Sequence, residues 1–238
     1  NIYVVTSKLY GELVEQDLPE CKKENILCEP VRRNTAPCIA YAMAKIEKRC
    51  EDALVLVMPS DHLIVDKENF VSRIFQGFRL ARREQVLICL GIKAAYPNTG
   101  YGYIQYNMDV CSQDDCGIKK VKLFTEKPAY EMACSFVESG DFLWNAGIFI
   151  WSLQAIKAAF VKFLPEITDV ILKGRELLDT DQEEAFVEEA YSICPSISID
   201  YGIMEKADNV YVIPSDFGWS DIGTWGALYN VMNKDENG

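Results

Sequence analysis

Short apolar runs alternate with amphipathic stretches through the first hundred residues, the pattern of a mostly parallel sheet covered by helices. Ile2–Thr6 and Ile26–Glu29 read as strands, and Ala53–Met58 is the strongest run, its near-continuous hydrophobicity predicting a strand buried on both faces. Between them Ile39, Met43 and Ile46 recur at helical spacing over 36–49. Asn34 or Thr35 serves as N-cap there, and Pro37 lies in the first turn, where its missing N–H costs nothing. Phe70, Ile74 and Phe78 predict a second helix from Asp66 to about Glu84, feeding a strand over 86–91. Strands over 101–106 and 119–124 flank a polar stretch, as in a long hairpin. Farther on come a strand over 146–151, helical patterns over 152–178 and 182–192, a strand over 210–214 and a closing helix near 224–232. With no linker, repeat or low-complexity tract, residues 1–238 read as one α/β domain.

Composition narrows the function classes. Lys and Arg total 24 against 36 Asp and Glu, a net charge of −12, which excludes a general nucleic-acid surface while leaving room for a locally cationic nucleotide site. No apolar stretch approaches the roughly 18 residues needed to cross a bilayer, and the N-terminus has no signal-peptide pattern, so a cytoplasmic protein without a membrane partner is expected. The nine cysteines contain no C-x-x-C pair and read as reduced thiols. With His62 the single histidine, a Ser/His/Asp triad has only one candidate base, and His62 reads as a packing residue.

Open α/β sheets bind ligands beyond the carboxyl ends of their strands, so the segments that follow strands carry the candidate chemistry. Glu29–Pro37, EPVRRNTAP, enters a helix whose free N–H groups favour ligand acceptors; it also fits an ordinary strand-to-helix turn. Pro59–His62, PSDH, offers Asp61 either to a Mg²⁺ ion, which takes one or two protein carboxylates, or to a local turn. NTGYGYIQ has two glycines that allow close backbone approach or a simple turn. TEKP sets an acceptor beside a cation, for sugar hydroxyls and phosphate or for a surface ion pair. LWNAGI places Asn145 just before a strand, and GWSDIGTW places Asp221 before a helix it could cap.

Taken in order, EPVRRNTAP, MPSDH, NTGYGYI, FTEKP, WNAGIFIW and WSDIGTW resemble the mannose-1-phosphate guanylyltransferase family of sugar nucleotidyltransferases, over residues 25–226. The resemblance implies a Rossmann-like mixed sheet of the nucleotide-diphospho-sugar transferase type, commonly a homodimer, and transfer of GMP from GTP to mannose 1-phosphate with Mg²⁺, giving GDP-mannose and pyrophosphate. It implies Arg33, Asn34 and Thr35 in the guanosine loop, Ser60 and Asp61 beside the nucleotide phosphates and metal, and Gly102 lining the sugar. Glu126 and Lys127 would hold the sugar and its phosphate, Asn145 and Gly147 the hydroxyls, and Asp221 would be the second metal carboxylate. Catalysis would rest on Asp61, Asp221 and Lys127: both reactants are anionic, so charge neutralisation and in-line positioning suffice without a covalent intermediate. The family's Gly-rich triphosphate loop has no counterpart here, Gly100–Gly102 being the only G-x-G, and its C-terminal β-helical region has none either. Little activity is therefore expected of this chain by itself. A nucleotidyltransferase for another sugar phosphate or base, and a non-catalytic sugar-nucleotide-binding subunit, are the competing readings.

Overall fold

The computed structural model describes residues 1–112, 115–223 and 229. In chain order the elements are β1 (Val4–Ser7), α1 (Gly11–Asp17), β2 (Ile26–Glu29), α2 (Thr35–Arg49), β3 (Leu54–Val57), β4 (Leu63–Ile64), α3 (Lys67–Arg83), β5 (Leu87–Lys93), β6 (Tyr103–Ser112), β7 (Asp115–Thr125), α4 (Tyr130–Ser139), β8 (Phe142–Ser152), α5 (Leu153–Phe163), α6 (Pro165–Ile167), α7 (Glu183–Ile193), β9 (Val210–Ser215) and β10 (Trp219–Ser220). Contacts group them into two units, Asn1–Ala53 with Ser152–Ala207, and Leu54–Trp151 with the chain from Asp208 on.

In the first unit β1 and β2 pair in parallel, Val4 opposite Ile26. The Asn34 side chain caps α2 by accepting from Thr35 N, and Lys48 and Arg49 close its last turn, where cations suit the carbonyl end. Lys45 projects from α2 with only 3% exposure, bonded to Asp179 Oδ1 at 2.5 Å and Glu183 Oε2 at 2.8 Å. Tyr41 donates to the same Glu183 carboxylate at 2.7 Å. A buried ammonium is tolerated only when it is paired in this way. The helical pattern expected over 152–178 breaks after Phe163, because Pro165 lacks an N–H and pushes Leu164 out of the helical region (φ −134°, ψ 57°). A π turn, Thr168–Leu172, follows.

The second unit is built on a six-stranded sheet in the order β3-β8-β5-β9-β7-β6. β5 and β9 run parallel; β5–β8, β6–β7, β6–β8 and β7–β9 run antiparallel. The mixed α/β sheet is as expected, but its parallel share is smaller than the alternation of elements suggests, because β8 runs antiparallel to β5 and β6, and β7 antiparallel to β9. Ile88, Leu90, Ile148, Ile150 and Ile213 form its core with Ile74 and Leu80 of α3. Each such side chain contributes about 1.5–3 kcal/mol by leaving water. A Cβ on Gly77 would stand 2.5 Å from Ile150 Cδ1, so a larger residue there would have to turn the Ile150 side chain aside.

Two strand expectations are corrected. β3, expected to be buried on both faces, is only half-buried along its length; among the described residues it lies at the sheet edge, next to β8. β8 begins at Phe142, four residues earlier than expected, since Leu143 and Trp144 already pair with β5 and β6. Asn145 therefore lies within a strand. Helix α4, closed by Gly140 in the left-handed region (φ 75°), was not anticipated. The closing helix expected over 224–232 lies, apart from Tyr229, outside the described residues.

Candidate active site

In the second unit, β4 and β10 form a two-residue antiparallel ladder, Trp219 opposite Ile64 and Ser220 opposite Leu63. Bonds from Val65 N to Gly218 O (3.1 Å) and from Asp66 N to Phe217 O (2.9 Å) extend it. Gly218 has φ 68°, and a Cβ there would meet Val65 Cβ at 2.8 Å, so the crossing requires glycine. Continued one residue the other way, the register sets Asp221 across from His62, beside Asp61. The ladder thus joins PSDH to WSD, segments far apart in the chain.

The Asp61 side chain is 83% exposed and its Oδ1 lies 4.0 Å from His62 Nε2. Among the described residues it caps no backbone N–H. Asp221 Oδ1 accepts from Tyr101 OH at 2.7 Å and from Gly223 N at 3.1 Å. Burial, then the adjoining Asp221 carboxylate, raises the Tyr101 phenol well above its ordinary range, so it remains a donor. Trp219 donates its indole N–H to His62 Nδ1 at 3.1 Å. An indole can only donate, so His62 carries its proton on Nε2. Burial lowers the His62 pKa, against the opposing pull of Asp61 and Asp221, and the ring is neutral at neutral pH.

A second cluster forms where β6 enters the sheet. Tyr103 pairs with Thr125 on one side and with Trp144 on the other, which flanks Gly102 with Glu126 and Asn145. Asn145 N donates to Gly102 O at 2.8 Å. A Cβ on Gly102 would lie 2.4 Å from Glu126 Oε2 and 3.2 Å from Asn145 Cβ, so the glycine keeps this space clear. The Glu126 side chain is 13% exposed and the Lys127 side chain 60%, with 3.4 Å between Glu126 Oε1 and Lys127 Nζ. Asn145, paired with Gly91, borders a bulge over residues 146–148 of β8; its Oδ1 accepts from Gly147 N at 3.0 Å. A bulge bends the strand and re-aims side chains. Gly147 has φ 67° and faces Pro59 of the PSDH loop. Gly102, Glu126, Lys127, Asn145 and Gly147 thus lie together. Ser60, exposed, adjoins them through Pro59, and Asp221 through Tyr101.

The guanosine-loop candidates lie in the first unit and bond mainly to their own chain. Arg33 Nε and Nη2 donate to the carbonyls of Tyr191 and Ser192 at 2.9 and 3.0 Å, closing the C-terminus of α7. Arg33 O accepts from Ile197 N, Ala36 N bonds Ile197 O, and Thr35 Oγ1 accepts from Ile199 N at 2.8 Å. Asn34 sits at φ 69°, ψ −170°, a region that disfavours side chains. Glu29, at the head of the loop, buries Oε1 beside the buried Tyr191 hydroxyl. Burial raises the Glu29 pKa, with Tyr191 and Arg32 pulling it back. Burial also pushes the Cys38 thiol up to about 12, which leaves it inert as a nucleophile.

Tyr101 and Trp219 lie inside the sequence motifs but carry no role legible from the sequence. A tyrosine between two glycines and a tryptophan two residues before an aspartate were the available signals. Among the described residues no group of three or more His, Cys, Asp or Glu could hold a metal, and no helix is long and apolar enough to cross a membrane.

The nucleotidyl transferase family model matches residues 1–238. A mannose-1-phosphate guanylyltransferase of Salmonella montevideo is 36% identical over 99% of this chain and 50% of its own length, and the alginate biosynthesis protein AlgA of Pseudomonas putida is 35% identical over 99% and 48%. The chain spans about half the length of these relatives. Among solved structures, one described as a mannose-1-phosphate geranyltransferase from Thermus thermophilus superposes with a TM-score of 0.83 at 29% identity, covering 97% of this chain and 64% of that one. Another, described as a mannose-6-phosphate isomerase from Helicobacter pylori, gives 0.73 at 26% identity, covering 92% and 83%.

Proposed function

Since this chain belongs to the nucleotidyl transferase family, we propose that it serves the transfer of GMP from GTP to mannose 1-phosphate, releasing GDP-mannose and pyrophosphate. The observation that carries this reading is the β4–β10 ladder, which brings Asp61 and Asp221 to one end beside the Gly102–Glu126–Asn145 cluster.

The carboxylates fit Mg²⁺, which takes hard oxygen ligands, needs only one or two from protein, and leaves its other positions to water and phosphate. Asp61 and Asp221 would hold it. Asp221 would do so through Oδ2, since Oδ1 already accepts two hydrogen bonds. When bound, the cation neutralises phosphate charge and helps to orient the phosphate that is attacked. Glu126, mostly buried, accepts from sugar hydroxyls, while the exposed Lys127 ammonium holds the sugar phosphate. Asn145 adds a polar contact, Gly102 and Gly147 let backbone approach the ring, and Ser60 lies at the phosphates. In the first unit, Arg33 and Thr35 shape the loop more than they reach for the base.

The test is incubation of the protein with mannose 1-phosphate, Mg²⁺ and, separately, GTP, ATP, UTP or dTTP, followed by ³¹P NMR. GTP is expected to be the triphosphate used, at the low rate that the lack of a Gly-rich loop implies, and GDP-mannose is expected to bind. Product from another triphosphate alone, or no product together with no binding of GDP-mannose, overturns the reading.

A further inference from the structure

A carboxylate rotates over a broad, two-fold torsion, so an unrestrained aspartate presents either oxygen, or both, to a cation. Asp221 is restrained. Tyr101 OH and Gly223 N both donate to Oδ1, at 2.7 and 3.1 Å. A Cβ on residue 223 would stand 2.8 Å from Oδ2, so glycine at that position keeps the second oxygen uncrowded. The Tyr101 ring is itself held edge-on by two indoles, Trp144 at 5.2 Å and Trp219 at 5.3 Å between ring centroids. That packing needs only the ring; the hydroxyl adds the bond to Asp221 and lies beside the Tyr96 hydroxyl.

Resting on the reading of Asp61 and Asp221 as cation ligands, we propose that Tyr101 is a positioning residue: its hydroxyl commits one Asp221 oxygen to the protein and presents the other, as a single-oxygen ligand, to a divalent cation. Octahedral Mg²⁺ at about 2.1 Å per ligand is demanding in geometry, and a carboxylate fixed by an outer hydrogen bond meets that demand without reordering. Because Tyr101 adjoins Gly102, the same bond ties the order of the sugar-side loop to the aim of the carboxylate.

The test is Mn²⁺ titration of the intact protein, with free Mn²⁺ read by electron paramagnetic resonance, for wild type, Tyr101→Phe, Asp221→Asn and Tyr103→Phe. Phenylalanine at 101 keeps the ring and its edge contacts. Tyr103→Phe is the structural control: its hydroxyl accepts from Asn98 N at 2.9 Å in the same loop and leaves Asp221 untouched. Tyr101→Phe is expected to weaken Mn²⁺ binding about tenfold with little change in Tm, Asp221→Asn to weaken it further, and Tyr103→Phe to stay within about twofold of wild type. Unchanged affinity in Tyr101→Phe alongside a loss in Asp221→Asn overturns the positioning role and leaves the proposed function standing. Equal losses in Tyr101→Phe and Tyr103→Phe trace the effect to a loosened loop and likewise overturn it. Unchanged affinity in Asp221→Asn overturns both the role and the ligand assignment.

Discussion

At the head of α2, Arg33 gives two N–H groups to the carbonyls that end α7, and Thr35 Oγ1 accepts from Ile199; deeper in the same unit Lys45 is enclosed by Asp179 and Glu183. At the end of the β4–β10 ladder, Asp61 is exposed, and Asp221 gives one oxygen to Tyr101 and Gly223 and keeps the other clear. Both regions are rich in charged and polar side chains. In the first these groups satisfy one another and hold secondary structure together; in the second they are aimed while retaining capacity for a ligand. Substitutions should therefore separate the regions, costing stability in one and chemistry in the other.

The largest effect is expected from Lys45→Met, which strands two carboxylates around a buried position. Urea unfolding should show a loss of about 3–5 kcal/mol, and a loss below 1 kcal/mol would show that the network does not hold the first unit. Asp61→Asn should do the reverse. In a form of the enzyme that carries the triphosphate loop, turnover should fall at least about 100-fold, about 2.7 kcal/mol in barrier, with an unchanged Tm; a fall in Tm without a fall in rate would dissolve the contrast. Gly147→Ala should cost about 1–2 kcal/mol of stability from its left-handed backbone, since the added methyl meets Pro59 only at contact distance, 3.6 Å. A raised KM for mannose 1-phosphate should accompany it.

Acid should also act on the first region. Burial raises the Glu183 pKa, but hydrogen bonds from Lys45 and Tyr41 outweigh it and hold the folded value below 4.5. Its stabilising contribution is therefore present above 4.5 and is lost as pH falls through the folded value. Glu183→Gln should flatten the decline of Tm below pH 4.5; an unaltered slope would place the acid sensitivity elsewhere. The smallest effect is expected of Asn34→Gly, within a few tenths of a kcal/mol, because glycine relieves the strained backbone while losing the cap. At this position alanine would mostly measure strain, so glycine is the better probe of base preference: a narrowed preference for GTP over ATP supports a role for the Asn34 side chain, and an unchanged ratio removes it.

The same contrast explains what could be read in advance. α2 and its start are encoded locally: Asn34 caps it, Pro37 fits the first turn, and the apolar stripe follows within the same fifteen-residue helix. The motif residues were legible one segment at a time for the same reason. Their convergence was not, because the ladder that joins PSDH to WSD has two paired residues per strand, too few to leave a periodic signal. Tyr101 and Asp221 are 120 residues apart, and Arg33 meets its acceptors 158 and 159 residues away. A cationic loop side chain aimed at a ligand and one that closes a distant helix look alike until that helix end is in place. The bulge beside Asn145 has no local signal because the shift of register against β5, not the pattern of β8 itself, defines it.

The bond between Trp219 and His62 gives the crevice an observable of its own. The sequence holds four tryptophans. Trp144 and Trp151 bury their indole nitrogens without an acceptor, whereas Trp219 donates to an imidazole nitrogen at 3.1 Å. In a ¹⁵N-labelled sample that indole proton should resonate downfield of the two unpartnered ones and exchange slowly with solvent. A cation or phosphate arriving at Asp61 perturbs the imidazole and, through it, this one resonance, so occupancy can be followed with no dye or tag attached.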